Sequence, residues 1–349
     1  MRRSTLRDVA ERAGVSVATV DRVLNGRPLV SAATVERVRA AARDLAYAFG
    51  LPASRAMATR PRAARVRCGI LLQREDSDFY RQLAAAIEEA AATTPQLNAT
   101  VRIDFCSDVD PARTEERLHA MAAENDALAI VAVDHPRIAD AIAAVQGRGV
   151  AVVSLLTELS GAACRGHAGI NNRAAGRTAA WAIAHCARDG GPVAVVIGSH
   201  GYLGQEDREI GLRSYLREHA PQFVVLEPRT CLDDPDLAHA AARDFLALRP
   251  AIAGLYCAGG GEAGVIRALR EHAAANPGLA GLPAFACHEL APHTREALLD
   301  GTATLALAHD IPRLARDALE LLAGFGRGEA PPRPTRIAPF TMHTSENVN

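Results

Sequence analysis

The side chains best suited to chemistry fall into two groups, and the first is concentrated in Ser16-Val-Ala-Thr-Val-Asp-Arg-Val-Leu-Asn25. Wound as a helix, this segment puts Val20, Val23 and Leu24 on one side and leaves Val17, Ala18, Asp21 and Arg22 facing outward. An arginine so placed can hold a guanine with two parallel hydrogen bonds, and Val17 or Ala18 can pack on a thymine methyl. Thr5, Thr19, Asn25 and Ser31 carry short polar groups of the kind that bind phosphate oxygens and set register. Asp21 is the exception. Phosphates repel a carboxylate, so it should accept from a cytosine amino group, bond another side chain, or turn away.

The second group is spread over the rest of the chain. Arg74 lies in the polar loop Gln73-Arg-Glu-Asp76, just ahead of Phe79-Tyr80. In a chain with few aromatics, that pair at a strand end is expected to stack at least one ring on a ligand; the bland alternative packs one under a helix. Arg208 is suited to a two-pronged contact with hydroxyls or a carboxylate, or else to a surface ion pair with Glu206 or Glu209. Asn172 and Asp310 fall at cleft edges, with a helix N-cap as the competing role for Asn172. His288-Glu289 is an acid–base candidate, although a capped turn or interlobe hydrogen bond is the simpler reading. Gly259-Gly-Gly-Glu-Ala-Gly264 fits G-x-G-x-x-G after an apolar strand, with Glu289 placed 25 residues beyond it as a ribose-binding acid. That defines an enzyme-class alternative: a nicotinamide-dinucleotide-binding oxidoreductase, or an NAD sensor. Its late position counts against it. No G-x-S-x-G, H-E-x-x-H or P-loop is present. The seven cysteines are scattered and the histidines lack ligand spacing, so no disulfide, metal, cofactor or catalysis is expected.

Several elements must position these groups. Val9, Ala10 and Ala13 give one helix an apolar face, Gly14 permits a tight turn, and Ser16 is suited to cap the next helix. Ser31 should cap a third helix from Ala33 to about Tyr47. These helices make a head over residues 1–50, followed by a hinge linker over 51–65. Residues 1–67 hold 14 arginines against 5 acids, net +9, while the remainder holds 25 against 35, net −10; lysine is absent. A basic head on an acidic body suits a head that binds phosphates and a body that avoids them. Residues 1–12 are charged throughout and no apolar run is long enough to span a membrane, so a cytoplasmic protein without a signal peptide is expected.

From Val66 onward apolar runs alternate with amphipathic helices, the pattern of α/β lobes with doubly wound parallel sheets covered on both faces. One series runs from Val66 to Leu155 and a second from His167 to Cys287. The closing segments fit either lobe. The division adopted gives lobe 1 residues of about 66–163 plus 292–323, and lobe 2 about 164–291 plus 324–345, within an effector domain of 66–349.

Leu6-Arg-Asp-Val-Ala10, Ala13-Gly-Val-Ser16, Thr19-Val20, Arg22-Val-Leu-Asn25 and Val30-Ser31 give the head a resemblance to the LacI/GalR family of bacterial transcription regulators. In the body, Gly169-Ile-Asn-Asn172, Arg208-Glu-Ile-Gly211, the Gly259–Gly264 loop and Ala308-His-Asp310 are similar to that family's cleft segments. The resemblance implies a helix-turn-helix head, a hinge, and a two-lobed periplasmic-binding-protein-like body. It implies a repressor that acts as a homodimer, binds a roughly palindromic DNA operator and senses a sugar or polyol, with no membrane partner. It aligns Met57 with a leucine that wedges into the minor groove. It also puts glycine where sugar-sensing members often have a cleft aspartate, with Glu262 as the candidate replacement.

Overall fold

A computed structural model describes residues 6–24, 31, 34, 35, 37, 38, 41, 65–106, 109–161, 164–248, 251–278, 281–329 and 334–348. The chain divides into two compact units, residues 1–62 and 63–349.

In the first unit, α1 (Leu6–Ala13) and α2 (Val17–Leu24) flank a turn in which Gly14 adopts φ 64°. That left-handed conformation is one a side chain resists, so glycine is the natural occupant. Ser16 caps α2 by accepting from the Thr19 amide at 3.2 Å. Val9, Ala10, Ala13, Val20 and Val23 are buried together with Val38 and Ala41, which makes a small apolar centre. Ser31 accepts in the same way from the Thr34 amide at 3.3 Å. Most of the expected third helix, and the hinge with Met57, lie outside the described residues.

The second unit holds two sheets. In the first, β1 (Val66–Gln73) is flanked by β2 (Ala99–Cys106) and β3 (Ala127–Ile130), and β4 (Ala151–Leu155) and β5 (Gly166–Ile170) extend it, all parallel. The second sheet is built on β6 (Gly191–Ile197), which carries β7 (Phe223–Val225) and β8 (Arg229–Thr230) on one side. On its other side follow β9 (Gly254–Cys257), β10 (Ala284–His288) and β11 (Leu305–His309). The first sheet is completed by β12 (Thr335–Ala338), and the second by an antiparallel β13 (Phe340–His343). Among the described strands, β3, β4, β5, β9, β10 and β11 are buried along their whole length, as strands covered by helices on both faces must be.

The lobe division expected from sequence needs correction. β5 belongs to the first sheet, pairing with β4, so the chain changes lobe after Ile170 and not near residue 164. β11 belongs to the second sheet, with Leu298 of the preceding helix buried against it. The next change of lobe falls between His309 and Ile311, where the long helix 311–327 begins and packs into the core of the first lobe. A last change separates β12 from β13. Alternation of strand and helix is identical in both lobes, so only hydrogen-bond partnering decides which lobe a strand joins.

Candidate functional site

Two of the three changes of lobe, the one after His309 and the one before Phe340, border a cavity of about 830 Å³ between the two sheets. It is lined by Arg74, Phe79, Tyr80, Arg208, Glu262, His288 and Asp310, all expected from sequence. A crevice at the carboxyl ends of parallel strands is where open α/β sheets bind ligands.

Arg208 lies on the helix 203–219, which meets the helix 172–186 at close range. A Cβ on Gly176 would stand 1.8 Å from the Arg208 carbonyl oxygen, so glycine is what lets these backbones approach. Arg208 is buried and donates from Nε to Asn172 Oδ1 at 2.8 Å and from Nη1 to the Ala258 carbonyl at 3.0 Å. The surface ion pair considered for it does not form, because Glu209 turns to Arg213 at 2.7 Å. Asn172 itself stands behind the cavity wall. Asn171, one residue earlier, is the N-cap, accepting from the Ala174 amide at 2.9 Å.

Phe79 and Tyr80 meet edge to face with ring centroids 5.2 Å apart, and Phe79 also lies 5.3 Å from the His309 ring. Together they give the first lobe an aromatic wall against the polar second lobe. Asp310 lines the cavity and also caps the helix 311–327 through the Arg313 amide at 3.1 Å.

Sequence spacing did not show how the histidines of the second sheet are used. His288 Nε2 lies 2.7 Å from the Tyr256 hydroxyl, and burial pushes the His288 pKa well below its ordinary value. Glu289, with φ 66°, accepts from His309 Nδ1 at 2.5 Å. Burial works to raise its pKa, but the charge and hydrogen bond of His309, helped by Arg208, outweigh it and keep the carboxyl ionised. Glu262 pairs with His293 at 2.9 Å, and that hydrogen bond raises the His293 pKa.

Asp233 was missed. It follows Leu232 in a short left-handed stretch, φ 54° then 56°, which is strained for residues with side chains. Its carboxyl accepts from the Gly260 amide at 2.7 Å. A Cβ on Gly198 or Gly259 would lie 2.0 or 2.7 Å from Asp233 Oδ1, so two glycines leave space for this one group. Burial raises the Asp233 pKa, offset in part by Gly260, Gln205 and Arg74. In sequence it is one acid among Asp233, Asp234 and Asp236, and spacing cannot tell which turns inward; Asp234 is the cap of the next helix.

The same geometry disposes of the dinucleotide reading of Gly259–Gly264. The Gly260 amide, which would face a pyrophosphate, is occupied by a carboxylate that would repel one.

Among the described residues five hydrogen bonds join the lobes, one of them from Asn172 Nδ2 to the Leu156 carbonyl at 3.2 Å. Arg74 Nη1 donates to the Asp233 carbonyl at 2.8 Å, and Asp76 holds that guanidinium from behind at 2.8 Å. Tyr202 hydroxyl donates to Gln73 Oε1 at 3.2 Å, the Gly204 amide to Thr157 Oγ1 at 2.9 Å, and the Asp134 amide to the Gly201 carbonyl at 2.6 Å.

In the head, Ser16, Val17 and Ala18 are exposed at the start of α2, and Val17 keeps 41% of its surface. Thr19 is half-buried and bonds Ser16. Ser31 is exposed. Asp21 and Arg22 lie on α2; their side chains, like Thr5, Asn25 and Met57, lie outside what is described. No helix among the described residues is long and apolar enough to cross a membrane.

Comparison with known proteins agrees with this architecture. Residues 68–330 match the family described as periplasmic binding protein domain, and residues 5–48 match bacterial regulatory proteins of the lacI family. A ribose operon repressor of Halalkalibacterium halodurans is 39% identical over 90 residues, 26% of each chain. The maltose regulon regulatory protein MalI of Escherichia coli is 41% identical over 86 residues, 25% of this chain and 24% of that one. These alignments thus span about a quarter of each curated relative. Among solved structures, the glucose-galactose binding protein GanP of Geobacillus stearothermophilus superposes with a TM-score of 0.71 at 17% identity, covering 80% of this chain and 98% of that one. A solute binding protein of Agrobacterium vitis bound with α-D-tagatopyranose gives 0.73 at 20% identity, covering 81% and 96%. At such identities the likeness is one of fold. With a lacI-type helix-turn-helix head and a periplasmic-binding-protein body in a single polypeptide, the chain belongs to the lacI family of bacterial regulatory proteins.

Proposed function

We propose that this protein is a ligand-responsive transcriptional repressor that binds a roughly palindromic operator as a homodimer in the cytoplasm and senses a sugar-like metabolite. The observation that carries the reading is the presence, in one chain, of a basic head with an exposed recognition-helix start and a body whose two lobes enclose a polar and aromatic cavity. The relatives named as ribose and maltose regulators, and the sugar-binding proteins of the same fold, support the ligand class.

In this reading Val17, Ala18 and Arg22 meet base edges while Ser16, Thr19, Asn25 and Ser31 hold phosphates. The body couples two equilibria, lobe closure on ligand and DNA affinity. No catalytic step is assigned to it. The test is selection of an operator from random DNA by the full-length protein, followed by titration of the selected duplex in the presence of sugars and polyols. A selected palindrome whose affinity changes with one of these solutes supports the reading. Binding indifferent to DNA sequence defeats it.

A further inference from the structure

The second sheet's wall of the cavity holds three hydrogen-bonding groups that the protein leaves unanswered. Arg208 is 8% exposed, spends Nε and Nη1 on two neutral oxygens, and forms no ion pair among the described residues. The Tyr256 hydroxyl has His288 Nε2 as its hydrogen-bond partner among the described residues; a hydroxyl that only accepted there would leave its own proton unpaired in the core. Tyr256 therefore donates, the neutral His288 ring carries its proton on Nδ1, and that nitrogen is buried without a partner. His309 commits Nδ1–H to Glu289, and its Nε2 is likewise buried without a partner. His288 and His309 end the adjacent strands β10 and β11, and both line the same cavity as Arg208.

The acids nearby are already engaged. Asp76 is held by Arg74, Glu262 by His293, Glu289 by His309, and Asp310 by the Arg313 amide. What remains in this wall is one guanidinium that no carboxylate bonds and two orphaned ring nitrogens. Leaving such groups unpaired in a buried place is unfavourable, and a flat anion with two acceptor oxygens satisfies them together. Asp233, partly buried and without a cation bonded to its carboxyl, is suited to accept from a ligand hydroxyl.

We propose that the effector is a polyhydroxy carboxylic acid, with its carboxylate seated against Arg208, His288 and His309 and a hydroxyl on Asp233. This rests on the sensor reading above and narrows it from sugars in general to sugar acids.

The test is a calorimetric and thermal-shift panel on the full-length protein. D-gluconate, D-galactonate, D-glucuronate and D-galacturonate are each compared with the neutral polyol or sugar of the same carbon skeleton, and D-glucose 6-phosphate is included as a second anion. At least one acid is expected to bind tenfold or more tightly than its neutral counterpart. Arg208→Gln is expected to cut that preference tenfold. If that variant does not fold, the wild-type ratio of acid to neutral affinity decides alone. A neutral sugar binding as well as or better than its acid overturns the proposal and leaves the sugar-sensor reading intact. The phosphate ester binding more tightly than every acid overturns the carboxylate assignment. No binding by any panel member overturns both readings.

Discussion

Asn172 Oδ1 accepts a hydrogen bond from Arg208 Nε at 2.8 Å, and the Leu156 carbonyl accepts from Asn172 Nδ2 at 3.2 Å, so a residue outside the cavity fixes the direction of the cation inside it. Asn172→Ala should leave the guanidinium with one fewer partner and free to swing. Ligand binding should weaken by about 1.5–3 kcal/mol, the worth of a hydrogen bond to a charged group. Titration of any solute that stabilises the wild type measures this, and unchanged affinity would show that Ala258 alone positions Arg208.

The contact between the helices 172–186 and 203–219 sets a second expectation. Gly176→Ala would force a methyl to within 1.8 Å of the Arg208 carbonyl. The obstacle is backbone, so the helices must separate, at a cost of about 3 kcal/mol of stability. Urea unfolding reads this directly. Gly147→Ala, whose added methyl meets nothing within 4 Å, is the control expected to be close to neutral.

Lobe closure without ligand should depend on Arg74. Removing its bridge to the Asp233 carbonyl with Arg74→Ala should shift the balance of closed and open forms about tenfold, equivalent to about 1.4 kcal/mol. Small-angle scattering should then report a larger radius of gyration. An identical profile would mean that the remaining bonds, Tyr202–Gln73, Gly204–Thr157, Asp134–Gly201 and Asn172–Leu156, hold the lobes without it.

Two cavity histidines should give opposite dependences on pH. The pKa of His288 is lowered, so below its unfolded value of about 6.5 the unfolded chain binds a proton that the folded one refuses. That group makes stability fall as pH drops below 6.5. The pKa of His293 is raised by Glu262, so its contribution is full below 6.5 and is lost as pH rises through the higher folded value. His288→Phe should flatten the acid side of the stability profile, and His293→Gln the side above 6.5. Melting temperatures across pH 5–8 would show both, and parallel profiles for the two variants would refute the assignment.

For the head, Arg22→Ala should cost about 1–3 kcal/mol in operator binding and relax preference at one base pair. Equal loss on operator and random DNA would make Arg22 a phosphate contact instead. In either case affinity should fall steeply with salt, given 14 arginines in the first 67 residues.

The head, the alternation of strands and helices, and seven of the residues that line the cavity were legible in the sequence alone, because each depends on local pattern. A glycine between two apolar periodicities, or an arginine beside a turn, has the same meaning in any tertiary setting. What the chain could not reveal was long-range pairing. β5 and β11 look alike as apolar runs and join different lobes by choice of neighbour. Asn172 was visible as a polar residue at a helix start, yet only the approach permitted by Gly176 and Gly211 turned it from cap to anchor for Arg208. Asp233 was hidden for the same reason. Its carboxyl is accommodated by glycines 35 residues before it and 26 after it, and a contact over such separations exists only once both sheets are folded.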